Sequence, residues 1–305
     1  MTSTRDTTRR LLQGHQLAPK KALGQNFLVH RHTAQAIVHA AGVGADDIVV
    51  EVGVGLGALT QPLAAAARQV YGYEVDRGIV RMHHERQDLP DNVTLIHEDI
   101  LAADFSQLAE RCGGRILLVA NLPYSITNPF LFKLIDNAPH VNRAVVMVQK
   151  EVADRLTAGP CTKEYGVPTV LLACCATVRQ LLLLKPGEFH PRPKIDSVVI
   201  AIDFFPPSSS QHQHMPQGEA MALLKTVVRA TFNQRRKTIA NSLLSGVMPQ
   251  LSPGLAAGAA RQVVEKVLAS LSISPQARPE SLTVEDFIAL ARHLGGLAEE
   301  SFVAR

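Results

Sequence analysis

Between Asp47 and Phe205, short β-branched runs alternate with longer stretches of helical periodicity. The runs at 48–52, 70–75, 93–97, 116–120, 144–148, 179–184 and 198–203 predict strands, most of them apolar enough to be covered on both faces. Between them the periodicity predicts helices at 59–68, 77–87, 128–136, 150–157 and 167–177. That alternation is the signature of an α/β domain with a mostly parallel sheet. The last two strands are joined by KPGEFHPRPKIDS, too short and too rich in proline to hold a crossover helix, so the sheet is expected to end antiparallel. At Pro206 the pattern stops: PPSSSQHQHMPQG reads as a linker, and helical periodicity resumes at 219–230, 234–244, 256–271 and 283–294. The expected organisation is a disordered N-terminal segment (1–18), an α/β domain (19–205), a linker (206–218) and a small all-helical domain (219–305).

Composition narrows the class. With 46% hydrophobic and 19% charged residues in 305, the chain can bury a core, which excludes an intrinsically disordered protein. The net charge of +4 hides a division along the chain: residues 1–40 carry six basic and one acidic residue, 41–218 fifteen and nineteen, and 219–305 ten and seven. Basic flanks around an acidic middle favour a polyanionic partner over a random scatter of charge. The four cysteines form no CxxC pair, and no apolar run reaches the ~18 residues of a membrane span, so a soluble cytoplasmic protein is expected. His83-His84 and His212-Gln213-His214 lack companion ligands at metal spacing, and no metal is expected.

The candidate chemistry lies at the ends of the strands. The first runs into Gly53, Gly55 and Gly57, where a backbone without side chains can approach a ligand, although a tight strand-to-helix turn alone would use the same residues. The next strand ends at Glu74 and Asp76, about twenty residues on, where a carboxylate can accept the hydroxyls of a ribose. The third ends at Asp99, which could accept from an adenine amino group while Ile100 packs on the ring. After the fourth comes Asn121-Leu122-Pro123-Tyr124. An exocyclic amine is a poor nucleophile because its lone pair is delocalised. The Asn121 side-chain oxygen and the Leu122 carbonyl can accept its two N–H bonds and turn the lone pair toward a methyl donor, Pro123 stiffens the loop, and Tyr124 can stack on a flipped base.

These segments, with PKKALGQNFL (19–28), QKEVADRLTAGP, Glu164-Tyr165-Gly166, FHPRPKIDS and FNQRRKTIANSL, resemble in this order the ribosomal RNA adenine dimethyltransferases, the KsgA family, from about Pro19 to Leu282. The resemblance implies a class I, Rossmann-like methyltransferase sheet with a helical C-terminal domain. It implies an S-adenosylmethionine-dependent enzyme that converts two adjacent adenosines in a hairpin near the 3′ end of small-subunit ribosomal RNA to N6,N6-dimethyladenosine. Its partner would be that RNA within an immature 30S-type subunit, with the protein a monomer. Asn26, Leu28, Gly53, Glu74, Asp99 and Asn121 match the family's cofactor contacts, with Gln25 in the same segment. Asn121 to Tyr124 match its catalytic loop, and Phe189 the aromatic that closes on the target base, although the residues by themselves leave Phe189 open as a core aromatic. Val54 stands where the family usually has Pro. Lys20, Lys21, Arg235, Arg236 and Lys237, the last three read as opening a helix, suit RNA phosphates. Two other readings stay open: a resistance-type methylase of large-subunit RNA, and a non-catalytic RNA-binding or assembly factor.

Overall fold

A computed structural model of the chain describes residues 4–15, 17–20, 24–210 and 216–303. Its contacts divide into two compact units, Met1–Ala153 with Ala176–Pro206, and Asp154–Cys175 with Pro207–Arg305. The first holds a seven-stranded sheet in the order β4-β3-β2-β5-β6-β9-β7. Its strands are β2 (Ile48–Val52), β3 (Gln69–Glu74), β4 (Val93–His97), β5 (Ile116–Asn121), β6 (Val141–Gln149), β7 (Ala176–Leu184) and β9 (Ser197–Phe204). The pairs among β4, β3, β2, β5 and β6 are parallel, and β9 runs antiparallel to both its neighbours. The expected antiparallel finish is therefore present, with the last strand inserted between β6 and β7. Central strands such as IVVEV and ILLVAN are buried along most of their length, because helices leave no face to water.

Five helices follow the strands or precede them: α2 (Arg31–Ala41), α3 (Thr60–Ala66), α4 (Arg77–Arg86), α5 (Phe105–Arg111) and α6 (Thr127–Asp136). Helix α2 is absent from the sequence reading, yet its Thr33, Ala34, Ile37, Val38 and Ala41 form one buried stripe that ends at Gly42 in the left-handed conformation. Helix α5 is also new. Its N-cap Asp104 accepts from the amides of Ser106 and Gln107. The segment before Pro19, expected to be disordered, instead forms helix α1 (Thr4–Gly14); its Leu12 is buried with Phe27, Ile79 and Met82, which explains the order.

The link between β7 and β9 contributes β8 (Phe189–His190), which pairs antiparallel with β1 (Phe27–Leu28) as a separate two-stranded ribbon. The ribbon fastens the segment before α2 over the sheet.

Helix α7 (Lys150–Leu156) follows β6, and in the second unit helix α8 (Val167–Ala173) is shorter than expected because the chain has already turned into β7 by Ala176. The unit also holds α9 (Glu219–Phe232), α10 (Ile239–Gly246), α11 (Met248–Leu251), α12 (Ala257–Ser270) and α13 (Val284–Val303). Tyr165, Phe232 and Phe287 pack ring to ring at 5.8 and 5.7 Å between centroids, which gives the Glu164-Tyr165-Gly166 segment a place in this core. The domain boundary read from sequence at 205/206 thus misses the earlier excursion over Asp154–Cys175. The linker reading falls partly on residues 211–215, outside the described residues.

Gly72 in β3 tests the packing directly. A Cβ built there would lie 2.6 Å from Val54 Cγ2, on a buried β-branched side chain with little freedom to retreat. Gly72→Ala is expected to cost about 1–3 kcal/mol in urea unfolding, with Val54→Ala in the same chain recovering part of it. Strictly additive losses would show that the two positions do not meet.

Candidate active site

The C-terminal ends of β2, β3, β4 and β5 surround one cleft. It is lined by Gln25 to Leu28, Glu51 to Gly55, Glu74, Asp99, Ile100 and Asn121 to Pro123, among others. All the residues expected to contact a cofactor are there. The glycine turn after β2 uses positive φ at Gly53 (79°), Gly55 (54°) and Gly57 (79°), which L side chains rarely adopt. A Cβ on Gly55 would also meet the Phe27 ring at 3.3 Å.

Glu74, 5% exposed at the end of β3, organises the turn. One carboxylate oxygen accepts from the Gly55 amide at 2.9 Å and the other from the Asp76 amide at 2.8 Å. Burial pushes its carboxyl above the ordinary range, against the lowering effect of those two amides. Each oxygen retains a lone pair for a ligand hydroxyl. Asp76 behaves differently. Burial opposes its charge too, but Lys20 at 2.7 Å, the Gly78 amide at 2.9 Å and Gln25 at 3.1 Å overcome it and hold the carboxyl below the usual carboxylate range. Asp76 also caps α4. Lys20, expected to meet RNA, is therefore committed to an ion pair at the rim of the cleft; Lys21 lies outside the described residues.

The 24–28 segment is tied across two strand ends. Gln25 reaches Asp76 after β3, and Asn121 Nδ2 at the end of β5 donates to the Asn26 carbonyl at 3.0 Å. Asn26 Nδ2 donates back to the Gly24 carbonyl. The bond from Asn121 fixes which end of its amide is the donor and leaves Oδ1 as the acceptor. Leu122 is buried, and Tyr124 is held by a 2.9 Å hydrogen bond between its hydroxyl and Ser197 Oγ. Asp99 is exposed, with one oxygen accepting from the Leu101 amide, beside buried Ile100.

Phe189 departs from expectation. At 1% exposure it pairs with Leu28 in the ribbon and belongs to the main hydrophobic core with Val145 and Met147. It braces the 24–28 segment from behind and does not line the cleft. The basic run is also corrected: 233–237 form the turn between α9 and α10, because Thr238 caps the second helix by accepting from the Asn241 amide. Arg235 donates to the Lys163 carbonyl. Arg236 and Lys237 are exposed and make no ion pair among the described residues.

Two groups escaped the sequence reading. Glu51, in β2, is fully buried, lines the cleft, and has no hydrogen-bond partner on either carboxylate oxygen. Burial pushes its carboxyl up to about 8; the neighbouring Thr60 hydroxyl opposes this and the Glu74 charge adds to it. The signal was an acid inside an otherwise apolar strand, IVVEV. His83, dismissed as a metal ligand, is buried at the base of the glycine turn. Among the described residues no cluster of metal-ligating side chains is found, and no helix is long and apolar enough to cross a membrane.

Residues 17–270 match the family model described as ribosomal RNA adenine dimethylase. A protein of Desulfotalea psychrophila named ribosomal RNA small subunit methyltransferase A is 52% identical over 283 residues, 93% of this chain and 94% of its own. A protein of the same name from Caldanaerobacter subterraneus subsp. tengcongensis is 37% identical over 92% of this chain and 99% of its own. Among solved structures, a dimethyladenosine transferase from Plasmodium falciparum shares the fold with a TM-score of 0.71 at 24% identity, covering 87% of this chain and 95% of its own. The 23S rRNA methyltransferase ErmE superposes with a TM-score of 0.62 at 25% identity, over 88% and 99%.

The buried Glu51 makes stability depend on pH. The folded protein keeps a proton that the unfolded chain releases, so stability falls as pH rises from the ordinary carboxylate range to about 8. Glu51→Gln is expected to flatten that decline, at roughly 1.4 kcal/mol per pH unit separating the folded and unfolded values. Urea unfolding across this range would show it, and parallel curves for the two proteins would contradict it.

Proposed function

The chain belongs to the ribosomal RNA adenine dimethylase family and is an rRNA adenine dimethyltransferase acting on small-subunit RNA; from that premise we propose S-adenosylmethionine as its donor. We propose further that its target is two adjacent adenosines in a hairpin near the 3′ end of that RNA, met within an immature subunit. The observation that carries the reading is the hydrogen bond from Asn121 to Asn26, which joins the donor segment to the catalytic loop through one side chain.

The cleft fits such a donor. Glu74 retains acceptor capacity for ribose hydroxyls, Asp99 offers an acceptor to the adenine amine beside Ile100, and the glycine turn leaves room for a ligand close to the backbone. Glu51, a buried carboxyl without a partner, suits a cationic ligand. When bound, S-adenosylmethionine supplies an electrophilic methyl group on a sulfonium sulfur.

The protein's own part is positioning. Asn121 Oδ1 and the Leu122 carbonyl accept the two N–H bonds of the target amine, so that its lone pair faces the methyl group. Methyl transfer would break the methyl–sulfur bond as the N–C bond forms and leave the nitrogen cationic, its extra proton passing to solvent, so the protein need not supply a base ionised beforehand. Burial raises the Tyr124 hydroxyl above its ordinary range, against the lowering effect of the bond to Ser197, and keeps it neutral, while that bond holds the ring for stacking on the base. Exposed Arg236 and Lys237 offer contacts to RNA phosphates.

Transfer of labelled methyl from S-adenosylmethionine to unmethylated small subunits, with the modified base identified by mass spectrometry, tests the reading. Asn121→Ala is expected to lower transfer by about 10²–10³-fold while donor binding weakens far less. Substantial retained transfer would refute the mechanism, and subunit binding without transfer by the native protein would favour an assembly factor. Charge reversal at Arg236 and Lys237 is expected to weaken RNA binding and flatten its salt dependence, with donor affinity unchanged. A loss of donor affinity in that variant would remove these residues from the RNA side.

A further inference from the structure

His83 comes from α4, a helix that carries none of the expected site residues, and its ring is 3% exposed. Its Nε2 lies 2.9 Å from the carbonyl oxygen of Gly55, and its Nδ1 lies 2.7 Å from Asp88 Oδ1. A carbonyl can only accept, and so can an ionised carboxylate. Both contacts are hydrogen bonds together only when both ring nitrogens carry protons. Asp88 is suited to be the counter-charge: burial opposes its ionisation, but Arg86 on its other oxygen and His83 itself hold its carboxyl below the usual range.

The geometry points to His83 as a positioning residue for the methyl donor: by holding the Gly55 carbonyl, it fixes the glycine turn in the shape that presents the Gly55 amide to Glu74. The chain of contacts runs from Asp88 through the His83 ring to the Gly55 carbonyl, and from the Gly55 amide to the Glu74 carboxylate. A Cβ on Gly55 would meet the Phe27 ring at 3.3 Å, and one on Gly57 would lie 3.6 Å from the His83 ring, so both side chains pack against the turn. His83 is thus the wall against which the turn is formed. This assignment rests on the reading of the cleft as a donor site and adds a residue to it.

A ring with a single proton keeps only one of the two bonds, and the bond to Gly55 requires that proton on Nε2. The charged and titratable groups facing it are few. The turn after α4 supplies Asp88 with Arg86, the glycine turn brings Glu74 behind Gly55, and α3 contributes the neutral Gln61, which donates to the Asp88 carbonyl. His15 and Glu85 form a separate pair. Glu51 in the same cleft makes donor affinity depend on pH, because its ionisation as pH rises favours a cationic ligand. Comparing each variant with the native protein at one pH holds that contribution constant.

The test uses the full chain and S-adenosylmethionine as the probe, with binding followed by calorimetry at one fixed pH. Amide hydrogen exchange at residues 53–57 gives a second readout that needs no ligand. His83→Gln places an N–H donor near the Nε2 position, toward Gly55. His83→Asn places one near Nδ1, toward Asp88. If the Gly55 bond is what matters, the Asn variant loses donor affinity by roughly tenfold and exchanges faster at the turn, while the Gln variant retains most of both. Thermal melting of the two isosteric variants identifies any general loss of fold. Equal affinities for Gln and Asn, with unchanged exchange at the turn, would overturn the assignment and leave the donor reading standing. Failure of the native protein to bind S-adenosylmethionine would overturn both.

Discussion

A buried carboxylate has to find donors, and at the end of β3 the nearest ones are backbone amides. Glu74 takes the Gly55 amide with one oxygen and the Asp76 amide with the other. That single side chain couples the turn after β2 to the turn after β3. Asp76, held in place by the same interaction, then recruits Lys20 and Gln25 and caps α4. The 24–28 segment is hung from this corner and from Asn121. Removing a partner from such a network leaves a charge buried without compensation, which is far more costly than the bond itself is worth. The cleft is therefore a product of satisfying one acid as much as of the glycines that surround it.

Much of this was legible in the sequence because it is written in periodicity and turn chemistry. β-branched runs of five or six residues between helical stretches fix the parallel sheet, and acids or glycines directly after them fall at one edge whatever the details of packing. The proline-rich connection to β9 was enough to reverse that strand. What escaped had a different origin. Helix α2 begins without a capping side chain, and its histidine-rich exposed face blurs the apolar stripe. The core position of Phe189 depends on its pairing with Leu28, a contact across most of the first unit that no local pattern encodes. Helix α1 owes its order to Leu12 meeting residues far along the chain.

The charge pattern was right in outline and wrong in assignment at one end. Lys20 belongs to the basic N-terminal flank, yet its ammonium neutralises Asp76 and so serves the cleft. Counting cations along a sequence cannot distinguish a charge consumed internally from one offered outward. Arg236 and Lys237 are of the second kind because the turn that carries them ends at the Thr238 cap, which keeps their side chains off the buried face of α10.

The ribbon of β1 and β8 imposes an order on assembly during synthesis. Two residues, Phe27 and Leu28, form the strand that carries one wall of the cleft, and their strand partners are His190 and Phe189. Chains emerge from the N-terminus first. The glycine turn and the acids after β3 and β4 can be in place well before that partner appears, but the wall cannot be clamped until the proline-rich connection has left the tunnel. A nascent chain holding an unfinished sheet thus lacks a closed cleft while it is still attached to the ribosome that makes it.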